Sequence, residues 1–179
     1  MGDPKKQRKK YATPKYPFSS VALGTELKLL GEYGLRNKRE IWRHRALLTK
    51  YRLLARELLA RSPEDRMRIE KQLLNKLSAL KMVPENSTID NILDLSIENV
   101  LERRLQTLVH KRGLSKTLRQ ARQLITHGHI SIKGKKVTSP SYTVAANEES
   151  FIEYSPTSSL TKMDHPLRKE LSISPKMSQ

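Results

Sequence analysis

Ten Lys or Arg residues lie between Arg103 and Asn147, with no Asp or Glu among them. Such one-signed density in a folded segment marks a surface that faces phosphate. Arg119, Arg122 and Gln123 stand at i, i+3 and i+4, so on a helix their donors converge on one strip of backbone. Arg103 and Arg104 precede that helix, and Lys133, Lys135 and Lys136 follow it, so both groups can flank the strip. Lys111, Lys116 and Tyr142 complete the candidate set of this region. The bland alternative is a solvated helix face, which the absence of acids disfavours. Duplex RNA hides its base edges in a deep, narrow groove, so a surface of this kind reads phosphate placement, ribose 2′-OH groups and junction shape more than sequence.

Other chemistry is poorly represented. His127-Gly128-His129 could suggest a metal, but two histidines around a glycine leave a site short of ligands, and the next acid in the chain is Glu148. In a basic neighbourhood His127 and His129 are better used as hydrogen-bond partners of phosphate or ribose. Asp90 and Asp94 lie one helical turn apart, where helix-start acids are the ordinary explanation. There is no cysteine, hence no disulfide, thiolate nucleophile or cysteine zinc site. A glycine-rich phosphate loop, a nucleophile elbow and a dinucleotide fingerprint are also missing from the sequence. The expectation is a binding protein without cofactor or metal, and not an enzyme.

Composition points the same way. The 179 residues carry 35 Lys plus Arg against 18 Asp plus Glu, a formal charge of +17. Hydrophobic residues make up 36%, below the roughly 45–50% of an average globular domain. A small core under such self-repulsion implies a polyanionic partner, folded pieces and loose ends. The longest stretch free of Lys, Arg, Asp and Glu runs from Val137 to Asn147, well short of the ~18–20 apolar residues that span a bilayer. No membrane partner is expected. Met1-Gly2 is not followed by the Ser or Thr that myristoylation needs, because position 6 is Lys.

The elements that must position these residues can be sketched from periodicity. Residues 1–17 read as an extended basic arm, with Lys5, Lys6, Arg8, Lys9 and Lys10 to thread along phosphates and Tyr11 to rest a ring on a base. Residues 18–86 read as a helical domain. It begins with a short helix over about Val21–Leu30, followed by a helix capped by Asn37 with Glu40 three residues on, whose apolar positions are Ile41, Leu48, Tyr51, Ala55, Leu58 and Leu59. Arg36, Lys38, Arg39, Arg43, Arg45, Lys50, Arg52 and Arg56 occupy much of its other surface, and Arg36, Lys38, Arg39, Arg43, Arg52 and Arg56 are further RNA-binding candidates. Ser62-Pro63-Glu64-Asp65 starts the next helix, with Ile69, Leu73, Leu74, Leu77 and Leu80 inward, which makes an antiparallel hairpin. After a break at Pro84–Thr88, residues 87–154 read as one helix from Ser96 to Gly113, a second from about Ser115 to His127, and then short strands at 129–132, 136–137, 142–144 and 151–154. Residues 155–179, rich in Ser and Pro, read as a flexible tail that orders only on a partner. The expected class is α+β: an N-terminal basic arm, a helical domain with an antiparallel hairpin, and a small two-helix plus β-ribbon module.

The run from Gly113 to Val137 (GLSKTLRQARQLITHGHISIKGKKV), with Pro140-Ser-Tyr142 after it, resembles the small RNA-binding module named after small-subunit ribosomal protein four. The acidic-glycine turn usual in that module appears here as Asn147-Glu148-Glu149-Ser150. Outside it, Gly2–Lys6, Glu32–Trp42 and Leu101–Thr107 resemble the archaeal and eukaryotic form of that ribosomal protein family, with the likeness covering about residues 2–154. Bacterial relatives can carry a cysteine zinc knuckle; this chain has no cysteine, so zinc is not implied. The short tail suits an archaeal source.

The resemblance implies a cytoplasmic structural constituent of the small ribosomal subunit. It implies a primary binder of small-subunit ribosomal RNA that clasps a helix junction, helps nucleate assembly and contributes to translational accuracy. It also implies neighbours among the small-subunit proteins, notably small-subunit protein five, and proximity to the region where messenger RNA enters. A processing factor of pre-ribosomal particles could share the module, as do RNA-modifying enzymes, although about 90 residues outside it leave little room for a catalytic domain. On residues alone, the basic helix hairpin (Arg43, Arg52, Arg56) and the 103–142 segment are expected to grip different sides of an RNA junction.

Overall fold

The computed structural model describes residues 2, 9–84, 86–162 and 165–173. The class is α+β. α1 (Ser20–Glu32) leads into α2 (Lys38–Leu59) and α3 (Pro63–Ala79), and the short helices α4 (Ile89–Leu93), α5 (Ile97–Glu102), α6 (Leu105–Lys111) and α7 (Leu118–Thr126) follow. β1 (Ile130–Ile132), β2 (Lys135–Lys136), α8 (Ala146–Glu149), β3 (Ile152–Tyr154), a 3₁₀ turn (Ser159–Thr161) and α9 (Pro166–Ile173) complete the order.

α2 starts where Asn37, in an extended conformation, accepts a hydrogen bond from the Glu40 amide at 3.2 Å. Its inward row Leu48, Tyr51, Ala55 and Leu58 meets Leu73 and Leu77 of α3. Ile89, Ile92, Leu95 and Val100 pack into the same cluster, so the break expected near residue 87 lies inside one continuous core. Leu59, expected to face inward, is exposed at the end of α2. A second, smaller cluster joins Leu29, Leu35 and Ile41 to Leu101. The third gathers Leu105, Leu108 and Val109 of α6, Ala121, Leu124 and Ile125 of α7, and Ile130, Ile132 and Ile152 of the sheet.

The long helix expected from Ser96 to Gly113 is two helices. Arg104 takes an extended backbone and bridges antiparallel to Thr143, the Leu105 amide donates to the Tyr142 carbonyl at 2.8 Å, and the Val144 amide donates to the Arg103 carbonyl at 3.0 Å. These pairings take groups that a continuous helix would need. They also leave residues 142–144 as a bridge to the α5–α6 break in place of the strand expected there.

The sheet is antiparallel with order β2-β1-β3. Lys133 and Gly134 both have positive φ, 50° and 75°, the two-residue turn that suits the twist of a hairpin. Of the loose tail expected over residues 155–179, residues 155–162 and 165–173 belong to the fold instead; the rest lie outside the described residues. Leu160, only 3% exposed, enters the third cluster, and Leu167 packs against it. The Thr161 hydroxyl donates to the Ser155 carbonyl at 2.8 Å, and the Arg168 guanidinium stands 5.0 Å from the Tyr154 ring centroid. This segment therefore belongs to the fold around β3.

Candidate nucleic-acid interface

α7 begins where the Thr117 hydroxyl accepts from the Gln120 amide at 3.1 Å. It ends in a Schellman turn: the Gly128 amide donates to Ile125 and the His129 amide to Leu124, both at 2.9 Å, with Gly128 at φ 74°. A Cβ at residue 128 would also stand 1.8 Å from Cε of Lys136, because that lysine's stem crosses the turn. With Ala121, Leu124 and Ile125 buried, the outward row of α7 is Arg119, Gln123 and His127. Lys116 is exposed just before the helix, and Lys133, Lys135 and Lys136 are exposed on the hairpin. Lys133 also sits 5.7 Å from the centroid of Phe151. Arg36, just before α2, and Arg39, Arg43 and Arg56 on it are exposed.

Several candidates lie elsewhere. Arg104 is 1% exposed, and its guanidinium donates to the Glu40 carboxylate at 2.8 Å and to Nε2 of His44 at 2.6 Å. It is an interior cation and cannot reach a phosphate. Arg103, 7% exposed, donates to Glu149 at 3.2 Å and to the Val144 carbonyl at 3.2 Å, so it too is internal. Arg122 turns from the strip toward Glu40, with Nη2 2.7 Å from Oε1. Arg52 donates to the Leu95 carbonyl at 2.8 Å, which ties α2 to the loop before α5. Lys38 points to the buried Glu26 at 3.5 Å, and Lys111 pairs with Glu102 at 3.3 Å. The Tyr142 hydroxyl donates to Glu148 at 2.8 Å, and His129 is partnered through Nδ1 by the Ser158 hydroxyl at 2.8 Å. Tyr11 rests against Trp42, ring centroids 6.0 Å apart, rather than standing free for a base. Lys9 and Lys10 are exposed beside it; Lys5, Lys6 and Arg8 lie outside the described residues.

The absence of acids within 103–147 thus does not leave every cation of that segment free, because Glu40 and Glu149 enter from outside it. Burial opposes a charge on Glu40, but hydrogen bonds and attraction from Arg122 and Arg104 prevail and hold its carboxyl below the usual range. Burial is likewise outweighed at Glu149 by Lys81 and Arg103. His44 is pushed down to about 4, first by burial and then by the neighbouring Arg104, so at neutral pH its neutral ring accepts the arginine proton. Glu40 was legible only as a helix-start acid, since its partners lie 64 and 82 residues away. Sequence reasoning also missed Arg112, whose Nη1 donates to the Ser150 and Ile152 carbonyls at 3.1 Å each. Lys50, read from the helical pattern as part of the basic surface of α2, is exposed there. Among the described residues, no group of three or more His, Asp or Glu side chains could hold a metal ion.

What remains is a basic surface from two sources, the outer side of α7 with the β-hairpin and the outer side of α2, backed by an interior in which Glu40 and Glu149 hold the buried arginines. Residues 103–150 match the S4 domain family. The chain is 55% identical over 158 residues to "Small ribosomal subunit protein uS4" of Ignicoccus hospitalis, covering 88% of this chain and 95% of that protein. It is 52% identical to the protein of that name from Hyperthermus butylicus, covering 90% and 92%, and 51% identical to that from Sulfolobus acidocaldarius, covering 97% and 98%. Identity of this degree over nearly the whole length of both partners takes in the helical part as well as the module: the chain belongs to the uS4 family of small ribosomal subunit proteins, in its archaeal and eukaryotic type.

Proposed function

We propose that this protein binds a helix junction of small-subunit ribosomal RNA early in assembly of the subunit and stays there as a structural part. The coarse part of this reading follows from the family: its members are structural proteins of the small ribosomal subunit, carry an RNA-binding S4 domain and are not enzymes, which places this chain in the cytoplasmic small subunit. The finer part rests on one observation, the two separate exposed basic rows. Arg119, Gln123, His127, Lys133, Lys135 and Lys136 form one contact, with Lys116 beside it; Arg36, just before α2, with Arg39 and Arg43 on one face of it, forms the other, with Lys9 and Lys10 of the arm beside Tyr11. Two rows carried by different helices suit two RNA arms better than one duplex. A contact with small-subunit protein five, a place near incoming messenger RNA and a contribution to accuracy are part of the same proposal.

The test is assembly order. Added alone to protein-free small-subunit RNA, the protein should bind specifically and should sediment with mature subunits from cells. Binding that required other proteins first would remove the early role, and confinement to precursor particles would make it a processing factor.

A further inference from the structure

Two carboxylates face each other's halves across the α5–α6 break. Glu40, from α2, holds Arg104 at the break and Arg122 on α7, at 2.8 and 2.7 Å. Glu149, from α8, holds Arg103 at the break and Lys81 at the end of α3, each at 3.2 Å. An acid of the helical half thus grips the module, and an acid of the module grips the helical half. Lys81 has φ 49°, a left-handed conformation in which glycine would be less strained. A third tie is neutral. The buried Gln106 donates through Nε2 to the Gly34 carbonyl at 2.9 Å and the Leu118 carbonyl at 3.0 Å. A Cβ at Gly34 would lie 2.8 Å from that of Leu118, so there is no slack between the α1–α2 turn and α7.

None of these groups belongs to the exposed basic rows, yet together they set how the rows are oriented. We infer that Glu40 and Glu149 are positioning residues for RNA recognition, crossed clasps that fix the angle between the basic row of α2 and that of α7 with the hairpin, so that the protein selects junctions whose arms match it. This rests on the junction reading above. Two linked contacts reinforce each other only when the link lets both engage, and a rigid link restricts that gain to matching geometries. Loosening the clasps therefore lowers selectivity without lowering the affinity for a single arm, and freeing Arg122 adds a cation to the surface.

The full chain permits a clean test because it has no cysteine. Spin labels at Glu57→Cys on α2 and Ser139→Cys after the hairpin report the distance between halves; both sites are exposed. The variants are Glu40→Met with Arg104→Met, which replaces the buried pair by apolar side chains, an exchange that proteins often tolerate, and independently Glu149→Gln. The parent should give one narrow distance distribution, and the variants a broader one at unchanged helical content. The ratio of affinities for an intact junction and for one isolated duplex arm should fall about tenfold in the variants, with single-arm affinity maintained or raised. A distribution that stays narrow in both variants overturns the clasps, as does an unchanged ratio. A parent without junction preference overturns the junction reading itself, and the selectivity role with it, even where the distribution broadens.

Discussion

Arg103 and Arg104 are adjacent in the chain but serve opposite carboxylates, Arg103 donating to Glu149 at 3.2 Å and Arg104 to Glu40 at 2.8 Å. Both are interior, so the two most prominent arginines before α7 hold the protein together and leave RNA to the exposed cations. The distinction is measurable. Arg104→Ala leaves Glu40 short of a buried partner and should cost about 3–5 kcal/mol of stability, read by urea denaturation. Arg119→Ala should leave stability within about 0.5 kcal/mol and flatten the plot of log affinity against log salt by about one unit. A stable Arg104→Ala protein with an RNA defect would reverse these roles.

His44 makes stability depend on pH. Its pKa in the fold is about 4 against 6.5 when unfolded, so as pH falls the unfolded chain takes the proton first. The contribution is complete above pH 6.5 and is lost progressively down to pH 4. Between pH 7 and pH 5 this one group should remove about 2 kcal/mol. Glu40 and Glu149, with pKa values below the usual carboxylate range, stabilise the fold above that range and lose their contribution at still lower pH. Urea melts of His44→Gln and the parent at both pH values check this; parallel pH dependence in the two would exclude His44 as the cause.

The elements that local chemistry controls were legible in the sequence. Asn37 caps α2, Lys133-Gly134 makes the hairpin turn, and Gly128 stops α7, because each depends on residues a few positions away. Arg104 was not legible, since the nearest acid in the chain, Glu102, pairs with Lys111 instead, and its actual partner Glu40 looked like half of a capping box. The capping half is real, with the Glu40 amide on Asn37, but its carboxylate is committed to the interior. The segment after Ser155 was misread for a related reason. Its polar composition gives no period, and only the tertiary fold shows that Leu160 completes a core begun some 50 residues earlier at Leu105.

That segment offers its own test. Leu160→Ala should destabilise the protein by about 2–5 kcal/mol, and a chain ending at residue 154 should lose at least as much, as urea denaturation would show. A truncated chain as stable as the parent would mean that residues 155–173 only lie on the surface.

The single tryptophan reports on the arm. Trp42 donates to the buried Glu26 at 3.0 Å and carries Tyr11 on its ring. Tyr11→Ala should expose the indole and shift its emission to longer wavelength. An identical spectrum would show that the arm does not rest there in solution.

The central claim is that two basic rows held at a fixed angle recognise an RNA junction, and the most direct measurement is the affinity of the intact protein for a small-subunit RNA junction and for its separate duplex arms at one salt concentration. The account predicts binding to the junction at least about a hundredfold tighter than to any single arm. Equal affinity for the junction and the arms would contradict it and leave only a general attraction to polyanions.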